Sequence, residues 1–235
     1  AGQRIDWWSL LWLALGAGLL WWALPPLLPA GFRPAGRGLD AVLGVRALSA
    51  GAFAGGQAFL PLMLVQAEHL PLDWAGSVLI VGSVGWMAGA WLQSRPWLRL
   101  RRDRIILAGT LSTTAGLLLV AASGWLPGRL LVAAVAGWLF GGLGMGLALS
   151  STSLAVMQLS EPVAIGRNTS SLQVSEALGN SIGAGLAGTL FVLGLTSGNS
   201  ALGFGGALTA MALLAATSVA ASVRIGPVEN HSTTR

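Results

Sequence analysis

Seven long apolar runs, separated by short polar breaks, set the pattern of this chain. A membrane-crossing helix needs about 20 mostly apolar residues at about 1.5 Å rise each. Runs of that length fall at residues 7–28, 43–66, 75–94, 105–123, 130–158, 169–196 and 201–223. The breaks between them carry Pro, Gly and charge, as in "PAGFRPAGRG", "EHLPLDW", "GWLPGR", "SEPVAIGRN" and "TSGNS". Such residues stop helices and form turns. The pattern predicts an all-α membrane protein, a bundle of about seven transmembrane helices.

Composition points the same way. Of the 235 residues, 54% are hydrophobic and 9% charged, against about 25% charged in an ordinary soluble domain. There is no Cys, hence no disulfide framework and no thiolate metal site. His69 and His231 have no partner at metal-ligand spacing. All 13 basic residues are Arg, and the net charge is +5. They lie mostly in short loops between apolar runs, which reads as membrane topology rather than nucleic-acid binding.

Alternate loops differ in Arg. One side of the bundle takes Arg33, Arg37, Arg46, Arg95, Arg99, Arg101, Arg102, Arg104, Arg167, Arg224 and Arg235; the other takes Arg4 and Arg129. The positive-inside rule places the first set in the cytoplasm. Trp7, Trp8, Trp74 and Trp125 then mark the outer ends of spans, and Trp21, Trp22, Trp91 and Trp97 the inner ends. The chain is expected in the cell (plasma or inner) membrane, N-terminus outside and C-terminus in the cytoplasm. The first run lacks the basic start and small-residue cleavage site of a signal peptide. An odd span count and a start at Ala1 lead to the expectation of the C-terminal part of a longer protein. The alternative is that the first run is not a span, or that only the start is trimmed.

Polar groups inside the runs are the candidate chemistry. Gln57 lies 11 residues beyond Arg46, roughly 16 Å along a helix, near mid-membrane. Pro61, four residues on, cannot donate to the Gln57 carbonyl. Phe53 and Leu60 share the Gln57 face by helical spacing. These three fit a substrate contact; Gln57 equally fits an interhelical hydrogen bond. In the sixth span, Thr169, Gln173, Glu176 and Asn180 form one stripe, continued by Gly183 and Ala187. Glu176 lies about 12 Å in from Asn168. A charged acid at mid-membrane costs at least about 2.5–3.5 kcal/mol. It must face water or the protein interior, take up a proton or find a partner. Two roles fit: a proton carrier backed by Gln173 and Asn180, or an acid solvated or paired near the inner mouth. Gly137 and Gly141, Gly142 and Gly146, and Gly179 and Gly183 are each four apart, a spacing that lets helix backbones approach closely. No nucleophile elbow, phosphate loop or carboxylate pair is present, so an enzyme is not expected, nor a cofactor or metal.

Four features together resemble the C-terminal half of a major facilitator superfamily transporter, of the drug:proton antiporter kind. They are "AFLPLML" at 58–64; Gly89 followed by the basic loop "RPWLRLRRDR"; the Gly-rich fifth span; and the "RN…S…ALGNSIGAGLAG" run entering the sixth. Gln93 stands where the family's loop motif has Asp, and Ser94 where it has Arg. Only Gly89 and the following Arg95, Arg99, Arg101 and Arg102 carry over, as a conformational loop. The resemblance implies the six-helix C-terminal transporter domain at 43–223, preceded by one helix at 1–28 and an inter-domain loop at 29–42, and followed by a cytoplasmic tail at 224–235. It implies halves that rock around a mid-membrane site, and proton-coupled export of hydrophobic small molecules. Its partners would be the bilayer, the substrate, protons and a missing N-terminal half. The alternative is a non-transporting membrane scaffold or subunit that needs a partner half.

Overall fold

The structure, a computed structural model, describes residues 28–29, 31–98, 100–126, 128 and 131–228, with positions 11, 15, 16, 18, 19, 22, 25 and 27 before them. Much of the expected first span, together with Arg4, Arg99, Arg129 and Arg235, lies outside the described residues.

Among the described residues, six helices long and apolar enough to cross a membrane follow in order. They are α1 (Leu39–Gln66), α2 (Leu72–Gln93), α3 (Arg102–Trp125), α4 (Leu131–Leu159), α5 (Ile165–Thr196) and α6 (Ser200–Ser222). A single 3-10 turn, Pro162–Ala164, leads into α5. The described residues contain no strand.

Three helices start before their apolar runs because charge is tolerated in a first turn. Asp40, Asp73 and Asp103 sit in the first turns of α1, α2 and α3, where exposed N–H groups favour a carboxylate. Asn199 caps α6, its side chain accepting from the Ala201 N–H at 2.9 Å. Pro61 lies within α1, and the helix continues past it to Gln66.

In lipid, apolar side chains gain little by leaving hydrocarbon for a protein interior, so helices associate through close packing. Ile80, Val132, Ile182 and Leu213 are accordingly exposed on the bundle's outside. Inside, backbones touch. A Cβ at Gly179 would fall on the Ala47 carbonyl, and one at Gly183 on that of Gly51, along the seam of α1 and α5. A Cβ at Gly142 would fall on the Gly82 carbonyl, and one at Gly89 on that of Leu143, along the seam of α2 and α4. The main core gathers Phe53, Leu60, Met63, Leu117, Trp138, Met145, Phe204 and Leu208.

A second core closes the arginine-rich end. Val42, Val45, Ile106, Val156 and Leu172 pack there with Ile225 and Val228. Residues expected to begin a free tail are thus folded against the helix ends. The Gly38 N–H donates to the Arg224 carbonyl at 3.2 Å, and the Arg102 N–H to the Val228 carbonyl at 2.9 Å. The Val228 N–H in turn donates to Asp103 Oδ1 at 3.1 Å. The reason is hydrophobic: Ile225 and Val228 follow the last helix closely and are buried against side chains of α1, α3, α4 and α5.

Candidate functional site

Two adjoining hollows open beside α1. One, about 380 Å³, is lined by Phe53, Gln57, Gly82, Trp86, Met87 and Trp138 among others. The other, about 440 Å³, is lined by Phe53, Gln57, Trp86, Met145, Glu176 and Asn180 among others. Phe53, Gln57 and Trp86 belong to both, so α1, α2, α4 and α5 frame one continuous recess.

Its wall is aromatic. Phe53 stacks on Trp138 with ring centroids 4.4 Å apart and planes 10° from parallel. Trp86 meets Phe53 edge-on at 5.8 Å and 70°. Gly82 makes room for this wall, because a side chain there would strike the Trp138 indole. Trp138 is buried and Trp86 half-buried, so Trp86 presents the accessible face. Gln57 is exposed to the recess, and among the described residues its amide has no hydrogen-bond partner. Leu60 points elsewhere: it is fully buried in the main core and lines neither hollow. A residue three positions from Gln57 shares its face only loosely, and α1 is packed on several sides.

Glu176 has a partner inside the chain. Arg46 Nε lies 3.5 Å from Glu176 Oε2, with Arg46 3% and Glu176 25% exposed. The same guanidinium donates from Nη1 to the Leu149 carbonyl at 3.1 Å and from Nη2 to Ser153 Oγ at 2.7 Å. α1 begins at Leu39, so Arg46 lies two turns inside the helix. The desolvation of a guanidinium is offset only where its donors and charge are matched. Two α4 oxygens accept from it and the α5 carboxylate supplies the counter-charge, while Nε itself has no hydrogen-bond partner among the described residues. Ser49 Oγ, a turn further along α1, and Ser151 Oγ on α4 are buried without a partner, so the polar interior extends beyond the pair.

The expected stripe on α5 divides. Glu176 and Asn180 line the recess, whereas Gln173 is exposed outside it. The described residues of the expected conformational loop, Gly89, Arg95, Arg101 and Arg102, each meet a neighbour, and Arg99 lies outside the described residues. Gly89 sits within α2 against α4. The Arg95 guanidinium lies 3.9 Å above the Trp91 ring. Arg101 pairs with Asp103 at 3.0 Å. Arg102 Nη1 donates to Gln93 Oε1 at 2.8 Å, so the amide standing in for an acid still ties the end of α2 to the start of α3.

Trp86, Trp138 and Met145 were not among the sequence candidates. Their signal was depth: the two tryptophans lie mid-span, away from the ends where Trp belts form.

No family model matches the sequence, and no curated protein matches it. Solved structures do match. Among them is a crystal structure of a POT family transporter in complex with a thioalcohol-conjugated peptide. The likeness has a TM-score of 0.65 at 18% identity and covers 81% of this chain. The chain thus shares the fold of part of that transporter. It spans 39% of that transporter's length.

Proposed function

We propose that this six-helix bundle is one half of a secondary active transporter of the major facilitator type, exporting hydrophobic small molecules in exchange for protons. The observation that carries the reading is the recess where an aromatic wall, Gln57 and Glu176 meet. The transporter fold of the solved neighbour supports it. In this reading the arginine-rich end faces the cytoplasm of a cell-membrane protein. Phe53 and Trp86 give the substrate an apolar surface and Gln57 orients it. Glu176 carries the proton: on taking it up, the carboxylate gives Arg46 no counter-charge, and the tie between α1 and α5 loosens. Release of the proton restores the tie.

The test is flux of a hydrophobic fluorescent probe in proteoliposomes under an imposed pH gradient, with the chain expressed together with any coding sequence preceding Ala1. Glu176→Gln should abolish the dependence on the gradient and leave probe binding in place. Unchanged, gradient-dependent efflux would remove Glu176 from the coupling.

A second reading, a membrane scaffold or subunit that works only beside a partner half, rests on the 39% coverage of the neighbour. The coding sequence upstream separates the two. Five or more further spans in frame favour the transporter; a start codon immediately upstream favours the subunit.

A further inference from the structure

Away from the recess, where residues 31–40 run into α1, two further hollows are lined by neighbouring residues of the chain. The outer one, about 590 Å³, is lined by Gly31, Arg33, Ala35, Gly36, Arg37 and Asp40. The inner one, about 250 Å³, is lined by Leu28, Phe32, Leu43, Leu48, Ile182 and Leu214, among others. Phe32 in the groove is followed by Arg33 in the basic hollow, and Asp40 lies one turn of α1 before Leu43 and Gly44.

The two differ sharply in chemistry. Arg33 and Arg37 are exposed and, among the described residues, have no ion-pair partner. Arg224 joins them, its Nη1 3.5 Å from the Ala35 carbonyl. The one carboxylate there, Asp40, already accepts the Arg33 N–H at 3.2 Å. Three guanidinium groups against one acid leave an excess of positive charge. The groove offers a ligand almost nothing polar, because the Ser175 hydroxyl on its wall already donates to the Ser171 carbonyl at 2.9 Å. Along α5 it descends from Ser175 to Gly183, eight residues, roughly 12 Å, close to one leaflet of a hydrocarbon core about 30 Å thick. A basic mouth at the helix end above an alkyl slot of leaflet depth has the shape of one amphiphile with an anionic head.

We infer that this face binds a single anionic phospholipid, its phosphate held by Arg33 and Arg37 and one acyl chain lying in the groove between α1 and α5. Basic pockets at the ends of membrane helices select such headgroups, and each buried methylene adds to retention. The site is separate from the recess and stands whether or not the chain transports.

Native mass spectrometry of the full chain in detergent tests it, with phosphatidylglycerol, phosphatidylcholine and inorganic phosphate as probes. Phosphatidylglycerol should bind at least tenfold more tightly than phosphatidylcholine, and inorganic phosphate should not be retained. Arg33→Gln with Arg37→Gln should bring the two lipids level. Arg104→Gln with Arg167→Gln, the same loss of charge elsewhere on that end, should leave the preference intact. Gly44→Leu should weaken both lipids at least fivefold; a Cβ at Gly44 meets nothing within 4 Å, so the new side chain fills the groove without disturbing the seam. Equal binding of the two lipids by the unmodified chain overturns the proposal without recourse to any variant. So does retention of inorganic phosphate as tight as that of phosphatidylglycerol, a preference that survives the Arg33 and Arg37 changes, or lipid binding indifferent to Gly44→Leu.

Discussion

Arg46 of α1 reaches Glu176 of α5 at 3.5 Å while donating to Leu149 and Ser153 of α4. One buried cation therefore ties three helices at one depth. Arg46→Met should lower stability in detergent by about 3 kcal/mol, the scale for breaking a buried pair from one side. Glu176→Gln should cost less, because a quarter of its side chain is exposed and solvent screens it. In a double-mutant cycle the two should couple by about 1 kcal/mol. Additive effects would mean that the ion pair contributes nothing beyond Arg46's two hydrogen bonds.

The α1–α5 seam gives a prediction from geometry alone. Gly183→Ala places a methyl on the Gly51 carbonyl and should destabilise by about 1–3 kcal/mol, the cost of overpacking. Gly185→Ala, two residues away with nothing within 4 Å, should be neutral or stabilise by up to about 1 kcal/mol through helix propensity. Thermal melting of both in one detergent decides. If both lose stability equally, helix contact at Gly183 is not the cause.

In the recess, two tryptophans should separate binding from folding. Trp86→Ala removes the accessible ring and should weaken binding of an aromatic probe about fivefold to tenfold, the scale of one aromatic contact, with little change in melting. Trp138→Ala empties the space beneath Phe53 and should destabilise by about 3 kcal/mol, as large core truncations do. Fluorescence titration beside melting curves reads both. The assignment fails if Trp86→Ala melts early and binds normally.

The segment after α6 should matter for stability despite its position. Val228 is 3% exposed, and its N–H and carbonyl are both bonded at the start of α3. Val228→Asp should cost about 2–3 kcal/mol, from lost burial and a carboxylate forced beside Asp103. Unchanged melting would show that the segment rests on the bundle without supporting it.

Spans were legible because lipid imposes long apolar runs, and the six described helices coincide with expected ones to within a few residues. The small-residue pairs were legible as close contacts: a Cβ at Gly137, Gly142, Gly146, Gly179 or Gly183 would strike a neighbouring backbone or side chain, though one at Gly141 would not. Pairing across the bundle was not. Arg46 reads as one more basic residue near a helix start, and nothing local says that it turns inward to α4 and α5. The site was half legible: Gln57, Phe53 and Glu176 stand out as polar or aromatic groups at depth. Leu60 and Gln173 show the limit of helical spacing, which assigns residues to a face without saying what covers it. Trp86 and Trp138 come together only because α2 and α4 pack through glycine.

The bond from Gly38 to the carbonyl of Arg224 has a consequence for architecture. An even number of helices returns the chain to the side from which it set out, and this bond brings the start and finish of the bundle to nearly the same point. The unit is a closed circuit. A chain entering at Gly38 can leave beside it, so the bundle can be spliced next to another without rerouting a helix. Joining the two points by a short linker and reopening the chain between α3 and α4 would give a permuted protein with the same interior.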